Sequence, residues 1–121
     1  MKFIPLLRCD NLNEAINFYT NILDFTLKYP GESHNEWVVE LTHGDAEILL
    51  ASKDGTPRIA VYIHVADVDA IFQKFTQRGL KVPNNPNSPV HTSPVDQTWG
   101  LREFYINDPG GNTLRFASPM D

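Results

Sequence analysis

The sequence predicts an α+β protein made of two βαβββ modules, with the strands forming a sheet-lined cavity and the helices outside. Three observations carry that reading. Leu12, Ala15, Ile16, Tyr19 and Leu23 fall at the spacing of one helical stripe, and Val68, Ile71, Phe72 and Phe75 repeat it half a chain later. A β-hairpin closes the chain between Trp99 and Phe116. The order strand, helix, then three strands occurs twice, a repeat of about 55 to 60 residues, too long for a solenoid unit. One 121-residue domain is therefore expected, with modules of about 1–55 and 56–121.

The elements follow in order. Phe3 to Arg8 reads as a strand, although Pro5 cannot donate to a ladder and belongs at an edge or bend. Asn11 and Glu14 form a capping box for a helix ending near Leu23. Phe25 to Tyr29 is a short strand stopped by Pro30-Gly31, and residues 31–35 are a polar loop. Glu36–Thr42 and Ala46–Ser52 are strands joined at His43-Gly44-Asp45. Asp54-Gly55-Thr56-Pro57 is a short linker. Ile59–Val65 opens the second module, Asp67 caps its helix, and Gly79 with Leu80 closes it. Lys81–Pro83 begins another strand, Asn84–Pro89 is an irregular loop, and Val90–Val95 is a strand interrupted by Pro94.

In the final hairpin Arg102, Phe104 and Ile106 point one way, and Leu101, Glu103 and Tyr105 the other. After the turn, Leu114 and Phe116 oppose Thr113 and Arg115. The turn itself is Asp108-Pro109-Gly110-Gly111-Asn112. Proline presets one angle, the glycines accept positive φ, and Asp108 and Asn112 bond neighbouring backbone. A second face that carries Tyr105 and Leu101 beside charges suggests a lined cavity.

Composition narrows the function. A net charge of −5 disfavours nucleic acid, which wants a basic stripe, and mildly favours cationic ligands by steering. No apolar run approaches the ~20 residues of a membrane span, and no secretory leader is expected. The single Cys9 rules out an internal disulfide and reads as a small packed residue, so a cytoplasmic protein is expected. There is no nucleophile elbow, no Gly-rich phosphate loop and no assured carboxylate pair. Glu103 and Glu47 could share the cavity face, but such carboxylates are usually solvated. His34, His43 and His91 read as loop or turn histidines.

Two stretches resemble the vicinal oxygen chelate superfamily, which comprises glyoxalases, bleomycin resistance proteins and dioxygenases. Pro5 to Leu12, Ala15 to Tyr19 and Leu23-Asp24-Phe25 are similar to its opening strand and helix. Trp99-Gly100-Leu101-Arg102-Glu103-Phe104, Asp108 to Asn112 and Leu114-Arg115-Phe116 are similar to the ending of its bleomycin-binding branch. The metal enzymes of the superfamily hold a divalent ion with four His or Glu side chains. The corresponding places here are Ile4, Leu49, a position near Ala60, and Arg115, so the resemblance implies no metal, no cofactor and no metal-dependent catalysis. His64 and Tyr62 share the parity of Ala60, so His64 could point inward.

The resemblance implies instead a non-enzymatic homodimer that sequesters a bleomycin-like antibiotic in aromatic-lined clefts. Trp99 stands where the family's tryptophan stacks on ligand, Trp37 lies near the facing aromatic, and Tyr62 and His64 fall at cavity positions. Tyr105, Glu103 and Arg115 complete the expected ligand-binding set. Glu103 and Arg115 depart from a purely cation-binding cleft: they could pair, or Arg115 could hold a carboxylate or phosphate. The resemblance also associates Pro5 with exchange of the first strand between partners. The second reading is a metal-dependent lyase, isomerase or dioxygenase with displaced ligands. A third is a regulatory or immunity-type protein that binds another protein.

Overall fold

The computed structural model describes residues 1–29, 37–53, 55–81 and 93–120. Its elements run β1 (Leu6–Arg8), α1 (Leu12–Asn21), β2 (Thr26–Leu27), β3 (Val38–His43), β4 (Ala46–Ala51), β5 (Ala60–His64), α2 (Val68–Gln77), β6 (Val95–Asp96), β7 (Leu101–Asn107) and β8 (Thr113–Pro119). They form two compact units. The first is Met1–Ile59 together with Asp108–Asn112, and the second is Ala60–Asn107 with Thr113–Asp121. Among the described residues each unit holds one helix and one four-stranded sheet. The sheet orders β1-β4-β3-β2 and β5-β8-β7-β6 are the same pattern, with the first strand parallel to the fourth and the other neighbours antiparallel. The expected repeat of βαβββ order is thus also a repeat of topology.

In the first unit, β1 starts at Leu6 and not at Phe3. Pro5 has no N–H to give, and only its carbonyl joins β4, accepting from Leu49 N at 3.0 Å. Asn11 caps α1 through its side-chain oxygen, which accepts from Glu14 N at 2.9 Å. The buried face of α1, Ala15 and Tyr19, lies in the same core as Leu7, Leu41 and Leu50, all at most 1% exposed. Burying a leucine of this kind is worth about 2 kcal/mol. Cys9 packs here as a small residue, and burial, Asp108 and Asp10 push its thiol up.

The Asp108–Asn112 turn belongs to this first core. Asp108 Oδ1 accepts from Asn112 N at 2.8 Å, and Asp108 Oδ2 accepts from Asn112 Nδ2 at 2.8 Å and from Tyr19 Oη at 2.6 Å. Asn112 Nδ2 also donates to Arg8 O at 2.7 Å, and Asn112 Oδ1 accepts from Ile59 N at 3.1 Å. Only one of the two glycines serves the expected conformational role. Gly111 has φ +84°, whereas Gly110 does not take a positive φ. Gly110 is needed for closeness: a Cβ there would lie 2.0 Å from Arg8 O.

In the second unit, Asp67 caps α2 by accepting from Asp69 N and Ala70 N. Leu80 N closes the other end on Phe75 O at 2.9 Å. Phe72 and Phe75 pack edge-on against Phe104, which stacks on Phe116 at 5.1 Å. The α2 side of the sheet is therefore the Phe104, Ile106, Leu114 and Phe116 face, as the alternation predicts. β6 covers only Val95–Asp96, so Pro94 lies before the strand and not within it. Lys81 stands in no strand. Pro83, the loop Asn84–Pro89, residues 90–92, residues 31–35, Glu36 and Asp54 lie outside the described residues. Among the described residues no helix is long and apolar enough to cross a membrane.

Candidate functional site

The face of the second sheet opposite α2 gathers charge and aromatic rings at one spot. Strand pairing sets the arrangement. Tyr62 on β5 stands beside Arg115 on β8, and Arg115 beside Tyr105 on β7. Glu103 is two residues before Tyr105 on the same side, and Trp99 lies just before β7.

Glu103 is the centre. It is fully buried, yet every described contact of its carboxylate is a donor. Oε1 accepts from Arg115 Nε at 2.8 Å, with Arg115 Nη2 also 2.8 Å away. Oε2 accepts from Trp99 Nε1 at 2.9 Å and from the Tyr62 hydroxyl. The expectation of a solvated carboxylate is corrected here, because burial is made tolerable by a guanidinium and two neutral donors. Arg115 in turn is framed by rings. Its guanidinium carbon lies 4.6 Å from the Tyr105 centroid, 4.9 Å from Tyr62 and 5.3 Å from Trp99. Each such contact is worth about 0.5–2 kcal/mol. Arg115 is thus held in one orientation from its side and on its faces.

The rings that frame it are not core. Trp99 is 53% exposed and Tyr62 44% exposed. Their polar atoms are directed to Glu103, so they present carbon surface outward. His64, also exposed, sets its ring 5.1 Å from that of Tyr62. Tyr105 is more enclosed. Burial raises its phenol above the usual range, Arg115 opposes that, and Glu103 reinforces it.

Six of the seven residues named from sequence therefore meet on one face of one unit: Tyr62, His64, Trp99, Glu103, Tyr105 and Arg115. Trp37 stands in the first unit, just before β3, and is half exposed. Glu47 belongs to the first unit. It is buried on β4 and held at 2.5 Å by both Lys2 and Lys28. Those hydrogen bonds, Lys2 first, hold its carboxyl below the usual range. His43 is exposed, 5.5 Å from the ring of Phe25; His34 and His91 lie outside the described residues. Arg102 faces the opposite way. Its fork grips Asp69 at 3.0 and 3.1 Å and its other nitrogen reaches Asp96, tying β7 to α2 and β6.

The side chains at Ile4, Leu49 and Ala60 offer no donor atom for a metal, and Arg115 would repel one. Among the described residues no group of three or more His, Cys, Asp or Glu side chains is placed to hold an ion. The residues do not fit the metal of the superfamily's enzymes. What sequence reasoning missed is the hub role of Glu103. Its only trace was a lone carboxylate on a strand face shared with aromatic residues.

Comparison with known proteins decides the family. The family model of the glyoxalase/bleomycin resistance protein/dioxygenase superfamily matches residues 4–116. The chain belongs to this superfamily. Among curated relatives, a bleomycin resistance protein of Geobacillus stearothermophilus is 25% identical, over 96% of this chain and 95% of its own. Two solved structures share the fold. The bleomycin resistance determinant encoded on transposon Tn5 superposes with a TM-score of 0.80 at 18% identity, covering 100% of this chain and 99% of that one. A bleomycin-binding protein complexed with bleomycin gives 0.77 at 17% identity, covering 99% of each.

Proposed function

We propose that this superfamily member is a non-enzymatic, cytoplasmic binding protein that sequesters a planar aromatic small molecule, as a protein of the bleomycin-resistance type. The observation that carries the reading is the exposed ring surface of Trp99 and Tyr62, locked by Glu103. Large aromatic surface is normally withdrawn from water. Here two rings are kept outward by hydrogen bonds that fix their tilt, which removes the ordering cost a ligand would otherwise meet. The full-length likeness to bleomycin resistance proteins supports the same reading. Binding is by stacking on Trp99 and Tyr62, with His64 and Tyr105 beside them. Arg115 and Glu103 set the orientation.

The proposal includes a homodimer without nucleic-acid or membrane partners. Phe3, Ile4 and Leu6 expose 85%, 44% and 41% of their surface at the start of the chain, an apolar stretch suited to burial against a second copy. Isothermal titration with metal-free and metal-loaded bleomycin tests the function. Saturable binding near one ligand per chain is expected. Absence of heat up to high micromolar ligand would remove bleomycin as the ligand.

A further inference from the structure

We propose that the charged group this site selects on its aromatic ligand is an oxyanion, a carboxylate above all, taken by Arg115. The inference rests on the binding reading above and adds the ligand's charge to it.

Glu103, the obvious partner for a cation, is spent. It is fully buried, and both oxygens already accept from Arg115, Trp99 and Tyr62. A ligand ammonium would have to strip those donors away and reach a side chain with no exposed surface. The rings of Tyr62, Trp99 and Tyr105 already carry the guanidinium of Arg115. The carboxylate is thus satisfied from within, and the fixed guanidinium repels a second cation brought to the exposed ring surface beside it.

Arg115 is in the opposite condition. A guanidinium has five N–H donors in a planar fork. Its Nε and Nη2 sides are turned to Glu103, while Nη1 has no acceptor among the described residues. The side chain remains 27% exposed. It is also pre-positioned by three rings and a carboxylate, so little side-chain freedom is lost when it takes a second acceptor. The outward-facing unmet capacity of this cluster is therefore hydrogen-bond donation from a fixed cation, bordered by exposed ring surface. That combination fits a flat aromatic acid, whose ring lies on Trp99 or Tyr62 and whose carboxylate meets Nη1. The overall charge of −5 acts at long range and is screened within about 8–10 Å, so it does not decide a contact at this distance.

The test compares three probes of one shape: naphthalene carboxylate, its carboxamide and its amidine, titrated by tryptophan fluorescence. The carboxylate is expected to bind about tenfold or more tighter than the carboxamide, and the amidine more weakly than either. In Glu103→Gln/Arg115→Gln, which leaves no lone charge in the face, the carboxylate-to-carboxamide ratio should fall to near one. Arg115→Lys should retain part of it. Carboxamide or amidine binding as tight as carboxylate in the wild type would overturn the proposal, as would a preference surviving in the double variant. If none of the three binds while bleomycin does, the oxyanion proposal falls and the binding reading stands. If bleomycin fails and the carboxylate binds selectively, the oxyanion proposal stands and bleomycin alone is removed as the ligand.

Discussion

Glu103 shows how one side chain sets the character of a surface. Placed on a strand face with no solvent of its own, it needs donors, and it draws Trp99, Tyr62 and Arg115 into register. Glu103→Gln keeps the volume but leaves Arg115 facing an amide. A loss of about 2–3 kcal/mol in urea denaturation is expected, with a smaller loss per site when Arg115→Gln is combined with it, since the two act as one unit. Glu47 invites a pH experiment. Its carboxyl is depressed in the folded protein by Lys2 and Lys28. A group depressed on folding adds stability above its unfolded value, near pH 4, and loses it as pH falls through the folded value. The melting-temperature gap between wild type and Glu47→Gln should therefore be open at pH 6 and shrink below about pH 4. Neither role was visible in the sequence, because burial of a glutamate depends on which donors other strands supply. The site's membership was more legible than its wiring. Period-two alternation put Glu103, Tyr105 and Arg115 on one face and allowed Glu103 to pair with Arg115, but nothing local said that Trp99 and Tyr62 would also donate to that carboxylate.

At the level of elements, the hairpin turn between β7 and β8 carries more than a change of direction. Asp108 and Asn112 are buried and bond Tyr19 and the backbone of Arg8 and Ile59, so the turn is a packed part of the first unit. Gly110→Ala should be among the most destabilising single changes, about 3 kcal/mol or more. The carbonyl it would strike belongs to backbone and cannot swing aside. Tyr19 adds an alkaline limit. Burial, then Asp108, raises its phenol well above the usual range. The folded state therefore keeps the proton while the unfolded chain releases it, and stability should fall as pH rises past about 10. Tyr19→Phe should flatten that decline in thermal melts, at a cost near neutral pH of about 1–2 kcal/mol for the lost hydrogen bond. Capping and periodicity made both helices readable within two residues of their ends. Strand ends were less so, because Pro5 and Pro94 remove ladder donors and a strand's limit depends on its partner.

Across the whole chain, the same strand order built twice gives each unit a sheet with one face against its helix. On the opposite face of the second, three rings frame the guanidinium that pairs with buried Glu103. Repetition was legible because helix spacing and element order survive where residue identity does not. Assembly is the natural check at this scale. Sedimentation equilibrium should find a dimer, and Phe3→Asp should shift it toward monomer by placing a charge in the exposed apolar stretch. The central claim is that the Trp99 face binds ligand, and the most direct measurement is a tryptophan-fluorescence titration with bleomycin, wild type beside Trp99→Ala. Saturable quenching near one ligand per chain, abolished in the variant, is the expected result. Equal quenching in both proteins would place binding elsewhere and contradict the claim.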